Sequence, residues 1–206
     1  MKQIDMLNKC ITLISQNGKL TNYESFEKLM DYMAVKLSLD NEAIYTLPQV
    51  VADTLDGGLL DWDLLRSDPW DWLGETYSQL GLCNLALSQF FTPRAVTEAM
   101  AQMTLFDCKP RTDKLPITML DPCVGSGRMI LSAHKILGDE AIYFGVDLDL
   151  HSYRIALINM ALYKIPAFLL RADSLVSNID LNSENWHQAN LWYPGNISKL
   201  SKKESV

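Results

Sequence analysis

Met119–Leu131 reads "MLDPCVGSGRMIL", an acid, a proline, two glycines and a serine packed between apolar flanks. The residues leading into it, "LPITML", suit a buried strand. Those following it, "RMILSAHKILG", suit a helix that Gly138 stops. The alternation then continues. "AIYFGV" (141–146) is a second strand, and "LHSYRIALINMALYK" (150–164) is a helix apolar around much of its girth and therefore well buried. "AFLL" (167–170) is a third strand, running into "RADSL", and "ANLWY" offers a fourth. Strand–helix–strand–helix–strand order predicts an α/β fold with a mostly parallel sheet of three to four strands and covering helices.

Upstream the pattern is helical. In "YESFEKLMDYMAVKLSL", Phe26, Leu29, Met30, Met33 and Leu37 form one apolar stripe, read as a core face. "DTLDGGLLDWDLLRSDPWDW" carries six aspartates, a Gly57-Gly58 break and Pro69. It reads as short helices joined by acidic turns, with Trp62, Trp70 and Trp72 as partly buried anchors. In "FTPRAVTEAMAQMT", Thr92 is the expected N-cap and Pro93 the first helical residue. The expected division is a helical domain over 1–82, a strand-bearing domain over 83–198 and a polar tail over 199–206.

Composition bounds the partners. Of 206 residues, 48% are hydrophobic and 21% charged, ordinary for a globular protein with one good core. No apolar run approaches the ~20 residues that span a bilayer. The N-terminus lacks a signal-peptide pattern, so a cytoplasmic location is expected. A formal charge of −7 argues against a chain that grips nucleic acid unaided. The four cysteines (Cys10, Cys83, Cys108, Cys123) form no C-x-x-C pair and read as reduced, mostly buried thiols. His134, His151 and His187 sit far from cysteine partners, so no metal site is expected.

In open α/β sheets ligands bind beyond the carboxyl ends of the strands. Three such ends carry a marked residue here: Asp121-Pro122 with Gly125-Ser126-Gly127, then Asp147, then Asp173-Ser174. Singly, each is also what a tight connection or a helix cap looks like. Ile130 stands where G-x-G-x-x-G would place its third glycine, which weakens a dinucleotide reading. The two glycines let a ligand approach the backbone, and helix N-terminal N–H groups suit a carboxylate. Asp147 is placed to accept from ribose hydroxyls, and Asp173 from an adenine amino group. A nucleoside bearing a carboxylate satisfies all three, and S-adenosylmethionine is such a molecule.

With "QFFTP" (89–93), "DPCVGSG" (121–127), "GVDLD" (145–149) and "ADSL" (172–175) in this order, the sequence resembles the S-adenosylmethionine-dependent adenine-N6 DNA methyltransferases. The likeness is greatest to the modification subunits of type I restriction systems. "DWLGETY" (71–77) is similar to the D-x-L-G-x-x-Y run that precedes F-T-P in those subunits. The resemblance implies a Rossmann-like methyltransferase sheet, truncated here and preceded by a small helical domain. It implies that Phe91, Thr92 and Pro93 line the methionine end of the cofactor, with Gln89 beside them. Asp121, Pro122, Gly125, Ser126 and Gly127 would shape the turn beneath it. Asp147 would hold the ribose, and Asp173 with Ser174 the adenine. Asp149 is read as a helix cap rather than a second ribose ligand.

Adenine-N6 methyltransferases also carry Asn/Asp-Pro-Pro-Tyr/Phe at the next strand end, where it orients the target amino group and stacks on a flipped base. No Pro-Pro occurs in this sequence. The corresponding place holds "ANLWYPGN", whose Asn190, Tyr193 and Pro194 have another order and spacing and read as a strand end with a Pro-Gly turn. No catalytic residue is therefore assigned. The expectations are a short or split methyltransferase acting on DNA through a partner subunit, or a cofactor-holding regulatory subunit. An open sheet edge would favour a homo-oligomer or hetero-complex.

Overall fold

The computed structural model describes residues 2–39, 47–83, 90–108, 116–176 and 187–188. Gln89, the "ANLWYPGN" segment and the tail lie outside the described residues. Helix α1 (Lys2–Gly18) packs on α2 (Asn22–Lys36). Helix α2 starts at Thr21 in a capping box: the Thr21 hydroxyl accepts from the Glu24 N–H at 3.2 Å, and Glu24 accepts from the Thr21 N–H at 2.8 Å. The stripe expected from the sequence is the core face, with Phe26, Leu29, Met30 and Met33 fully buried and Leu37 packed against them.

The acidic stretch forms α3 (Gln49–Thr54), one π-helical turn over Leu55–Leu59, α4 (Trp62–Arg66) and α5 (Trp72–Gln79). Its aspartates work as caps: Asp61 accepts from the Leu64 N–H and Asp71 from the Gly74 N–H. Trp62 and Trp72 are partly buried as expected, but Trp70 is wholly buried, covered by the Arg94 and Arg128 guanidinium groups.

Helix α6 (Arg94–Leu105) corrects the expected cap by one residue. Pro93, extended at φ −60° and ψ 146°, is the N-cap, and its carbonyl accepts from Val96 and Thr97. Because Pro93 is extended, the helix begins one residue later, and the Thr92 carbonyl accepts from Arg128 at 3.0 Å. The cysteines are all free, but only Cys10 is buried; Cys83 is half-buried, and Cys108 and Cys123 are exposed.

Strands β1 (Ile117–Asp121), β2 (Ala141–Asp147) and β3 (Ala167–Arg171) are parallel in the order β1-β2-β3. Helices α7 (Arg128–Leu137) and α8 (Leu150–Leu162) connect them. A short strand β4 (His187–Gln188) runs antiparallel to β3, and the strand expected at "ANLWY" lies outside the described residues. Ile117 and Met119, Ala141 and Tyr143, and Ala167 and Leu169 face α7 and α8. The opposite face carries Ile142, Phe144 and Val146 against Phe168 and Leu170.

Helix α8 belongs to both cores. Tyr153, Ala156 and Met160 pack toward the sheet, while Ile155, Ile158 and Leu162 pack among the N-terminal helices. That two-sided burial explains why its sequence is apolar all round. A polar seam fastens the same joint: Arg154 pairs with Glu27 at 2.8 Å and with Asp31, while His151 bridges Glu27 and the Tyr23 hydroxyl at 3.0 Å each.

Candidate functional site at the strand ends

The glycine turn is built by backbone bonds to the neighbouring strand. The Val124 N–H donates to the Val146 carbonyl at 2.8 Å, and the Gly127 N–H closes the turn onto the Val124 carbonyl at 2.9 Å. Gly127 sits at φ 90°, and a Cβ there would lie 2.8 Å from the Met160 methyl and 3.5 Å from the Ala156 Cβ. It is therefore small for two reasons, its left-handed backbone and the close approach of α8. Gly125, at φ 55°, lies beneath the Phe91 ring, 3.8 Å from where its own Cβ would stand.

The register sets Asp121 beside Gly145, so the carboxylates of Asp121 and Asp147 share one rim. Asp147 Oδ2 accepts from the Gly125 N–H at 2.7 Å and Oδ1 from the Asp149 N–H at 2.9 Å. Burial raises the Asp147 pKa, with these hydrogen bonds opposing it. Burial also raises that of Asp121, whose Oδ1 accepts from the Cys123 N–H at 3.1 Å. Asp149 caps α8 by accepting from the Ser152 N–H at 2.8 Å. At the third strand end, Asp173 Oδ1 accepts from the Leu175 N–H at 2.9 Å. Ser174 Oγ lies 3.9 Å from the Cys123 sulfur, which brings the first and third strand-end loops into contact.

A cleft of about 140 Å³ opens over this rim, with Phe91, Thr92, Asp121, Gly125 and Ser126 in its wall. Phe90, Cys123, Val124, Arg128 and Met129 complete the lining. Pro93 faces an adjoining hollow of about 420 Å³, which shares Phe90, Phe91 and Arg128 with the cleft. Pro122 is exposed on the turn, Gly127 is buried behind it, and Asp147, Asp173 and Ser174 stand outside the cleft lining.

Beneath the cleft lies a buried ionic cluster that sequence reasoning missed. Asp71, fully buried, accepts from Ser126 Oγ at 2.5 Å and Arg128 Nε at 2.7 Å through Oδ2. Its Oδ1 accepts from Asn159 Nδ2 at 2.7 Å and the Gly74 N–H at 2.8 Å. The Ser126 hydroxyl thus points into the protein and not into the cleft. Arg128 Nη1 donates to the Phe91 and Thr92 carbonyls at 3.3 and 3.0 Å, and Nη2 lies 3.2 Å from Glu75 without hydrogen-bond alignment. No local sequence signal marks the Asp71–Arg128 pair, whose members lie 57 positions apart.

A family model described as N-6 DNA Methylase matches residues 71–191, more than half of the chain. Among solved structures, a Listeria monocytogenes protein described as a class I S-adenosylmethionine-dependent methyltransferase superposes with a TM-score of 0.59 at 16% identity. The match covers 86% of this chain and 54% of that one, and it supports the sheet architecture. The methyltransferase subunit of a Streptococcus thermophilus type I restriction-modification system is 24% identical, with a TM-score of 0.44, over 85% of this chain and 40% of that one. The chain thus spans 54% and 40% of the lengths of these two structures.

Proposed function

The chain belongs to the N-6 DNA methylase family, and from that premise we propose that it binds S-adenosylmethionine across its strand ends as an adenine-N6 DNA methyltransferase of the type I modification-subunit kind. The observation that carries this reading is the shared rim. One glycine turn bonds directly to the Asp147 carboxylate and lies beneath an aromatic wall.

The donor set fits the cofactor. Asp147 accepts from backbone N–H groups and retains acceptor capacity for a ribose hydroxyl. Asp173 keeps one carboxylate oxygen for an amino group in the same way. Phe91 and the Asp121 carboxylate suit a cation, by π-face attraction and by charge. The cleft of about 140 Å³ matches the methionine end alone, because whole-ligand pockets run to ~300–1,000 Å³. Asp147, Asp173 and Ser174, at the open strand ends, would hold the nucleoside. When bound, S-adenosylmethionine supplies an electrophilic methyl group. The chain's own part is to orient it through the glycine turn, the Phe91–Pro93 wall and the two carboxylates.

The substrate is DNA adenine, reached with a partner subunit that supplies target recognition. Support for a partner is the outer edge of β1, unpaired among the described residues, where Leu120 is 44% exposed. Among the described residues no helix is long and apolar enough to cross a membrane. A second reading, a cofactor-holding subunit that transfers no methyl group, is favoured by the order of Asn190, Tyr193 and Pro194 in "ANLWYPGN".

Calorimetric titration should give saturable S-adenosylmethionine binding, weakened about ten- to a hundredfold by Asp147→Ala, which removes charge-assisted hydrogen bonds. No binding by the unaltered chain would end both readings. Labelled methyl appearing in adenine of added DNA supports the enzyme, and binding without transfer, with or without a partner, supports the second reading.

A further inference from the structure

Arg128 stands where three pieces of chain meet. It leaves the first turn of α7 and is 6% exposed. Its Nε is held by Asp71, the cap of α5, and its Nη2 faces Glu75 on the same helix. The guanidinium lies 5.2 Å from both the Trp70 and Phe91 ring centres. Nη1 is thereby aimed at the Phe91 and Thr92 carbonyls. These last contacts are to main chain, so they fix where the wall's backbone stands and not which side chain it carries. The Phe91 ring stands over Gly125.

We propose that Arg128 is a positioning residue that holds the Phe91–Pro93 wall over the glycine turn, and that through Asp71 and Glu75 the helical part of the chain governs the methionine end of the cofactor site. The inference rests on the cofactor reading above. It assigns Arg128 to one end of the ligand only. None of its hydrogen bonds among the described residues goes to Asp147 or Asp173, which serve the ribose and adenine. A lysine in its place keeps the charge beside Asp71 but lacks the planar fork that spans Asp71, two carbonyls and Glu75 together.

The test compares two ligands on the full chain by calorimetry: S-adenosylmethionine, and 5′-methylthioadenosine, which lacks the amino-acid end. Arg128→Lys should weaken S-adenosylmethionine binding about tenfold while changing 5′-methylthioadenosine binding by less than about twofold. General loosening of the fold would move both ligands together. Equal loss for the two, or no loss for either, overturns the proposal and leaves the cofactor reading standing. An unaltered chain that binds neither ligand overturns the cofactor reading itself, and this assignment with it. Should Arg128→Lys fail to fold, Glu75→Gln is read by the same comparison, with a smaller but equally one-sided loss expected, because Arg128 keeps Asp71.

Discussion

A carboxylate at the end of a buried strand is costly to keep ionised, and Asp147 meets that cost only partly with N–H donors from Gly125 and Asp149. Its pKa, like that of Asp121, is raised by burial. The folded state therefore holds these protons more tightly than the unfolded chain, so each group adds stability as pH falls through its raised pKa. Asp68 and Glu98 behave oppositely. Hydrogen bonds from Arg94 and from Lys135 lower their pKa values, so their stabilisation is present at neutral pH and lost as pH falls through those depressed values. A protonated Asp147 has lost acceptor capacity for ribose hydroxyls. Cofactor affinity should then decline over the acid interval in which folded Asp147 takes up its proton, with the chain still folded. Parallel calorimetry and thermal melts would check this. Affinity that is flat across the interval would mean that Asp147 stays ionised or makes no contact.

Among the elements, α5, α7 and α8 meet at one buried carboxylate. Asp71 takes four donors, and removing its charge leaves Arg128 buried without its main counter-ion. Asp71→Asn should cost about 3–5 kcal/mol of unfolding free energy, read from the urea midpoint at unchanged slope. A loss within ordinary surface scatter would show that Glu75 alone suffices. This junction also marks the limit of what the sequence discloses. The glycine turn, the strand-end aspartates and the Asp149 cap were legible because each is a local pattern within a few residues. The Asp71–Arg128 pair was not, since its members lie 57 positions apart and only packing joins them. The cap is displaced by one residue because Pro93 takes extended rather than helical backbone angles, with the Thr92 carbonyl bonded to the distant Arg128. The burial of the cysteines followed composition poorly, because Cys108 follows the end of α6 and Cys123 lies on an exposed turn.

At the scale of the whole molecule, helix α8 lends Ile155, Ile158 and Leu162 to the N-terminal helices and Tyr153, Ala156 and Met160 to the sheet. Trp70, Tyr163 and the Arg154 seam reinforce the same joint, with the Tyr163 hydroxyl donating to the Trp70 carbonyl at 2.6 Å. Residues 1–82 expressed alone would have an apolar hole where those three α8 side chains insert. They should show helical circular dichroism without a cooperative melt, as in a loosely packed globule. A sharp transition in that fragment would mean that the helices complete their own core. For the intact chain, shared ownership of α8 means that heat should find no order in which to dismantle the parts. Calorimetry should record one peak.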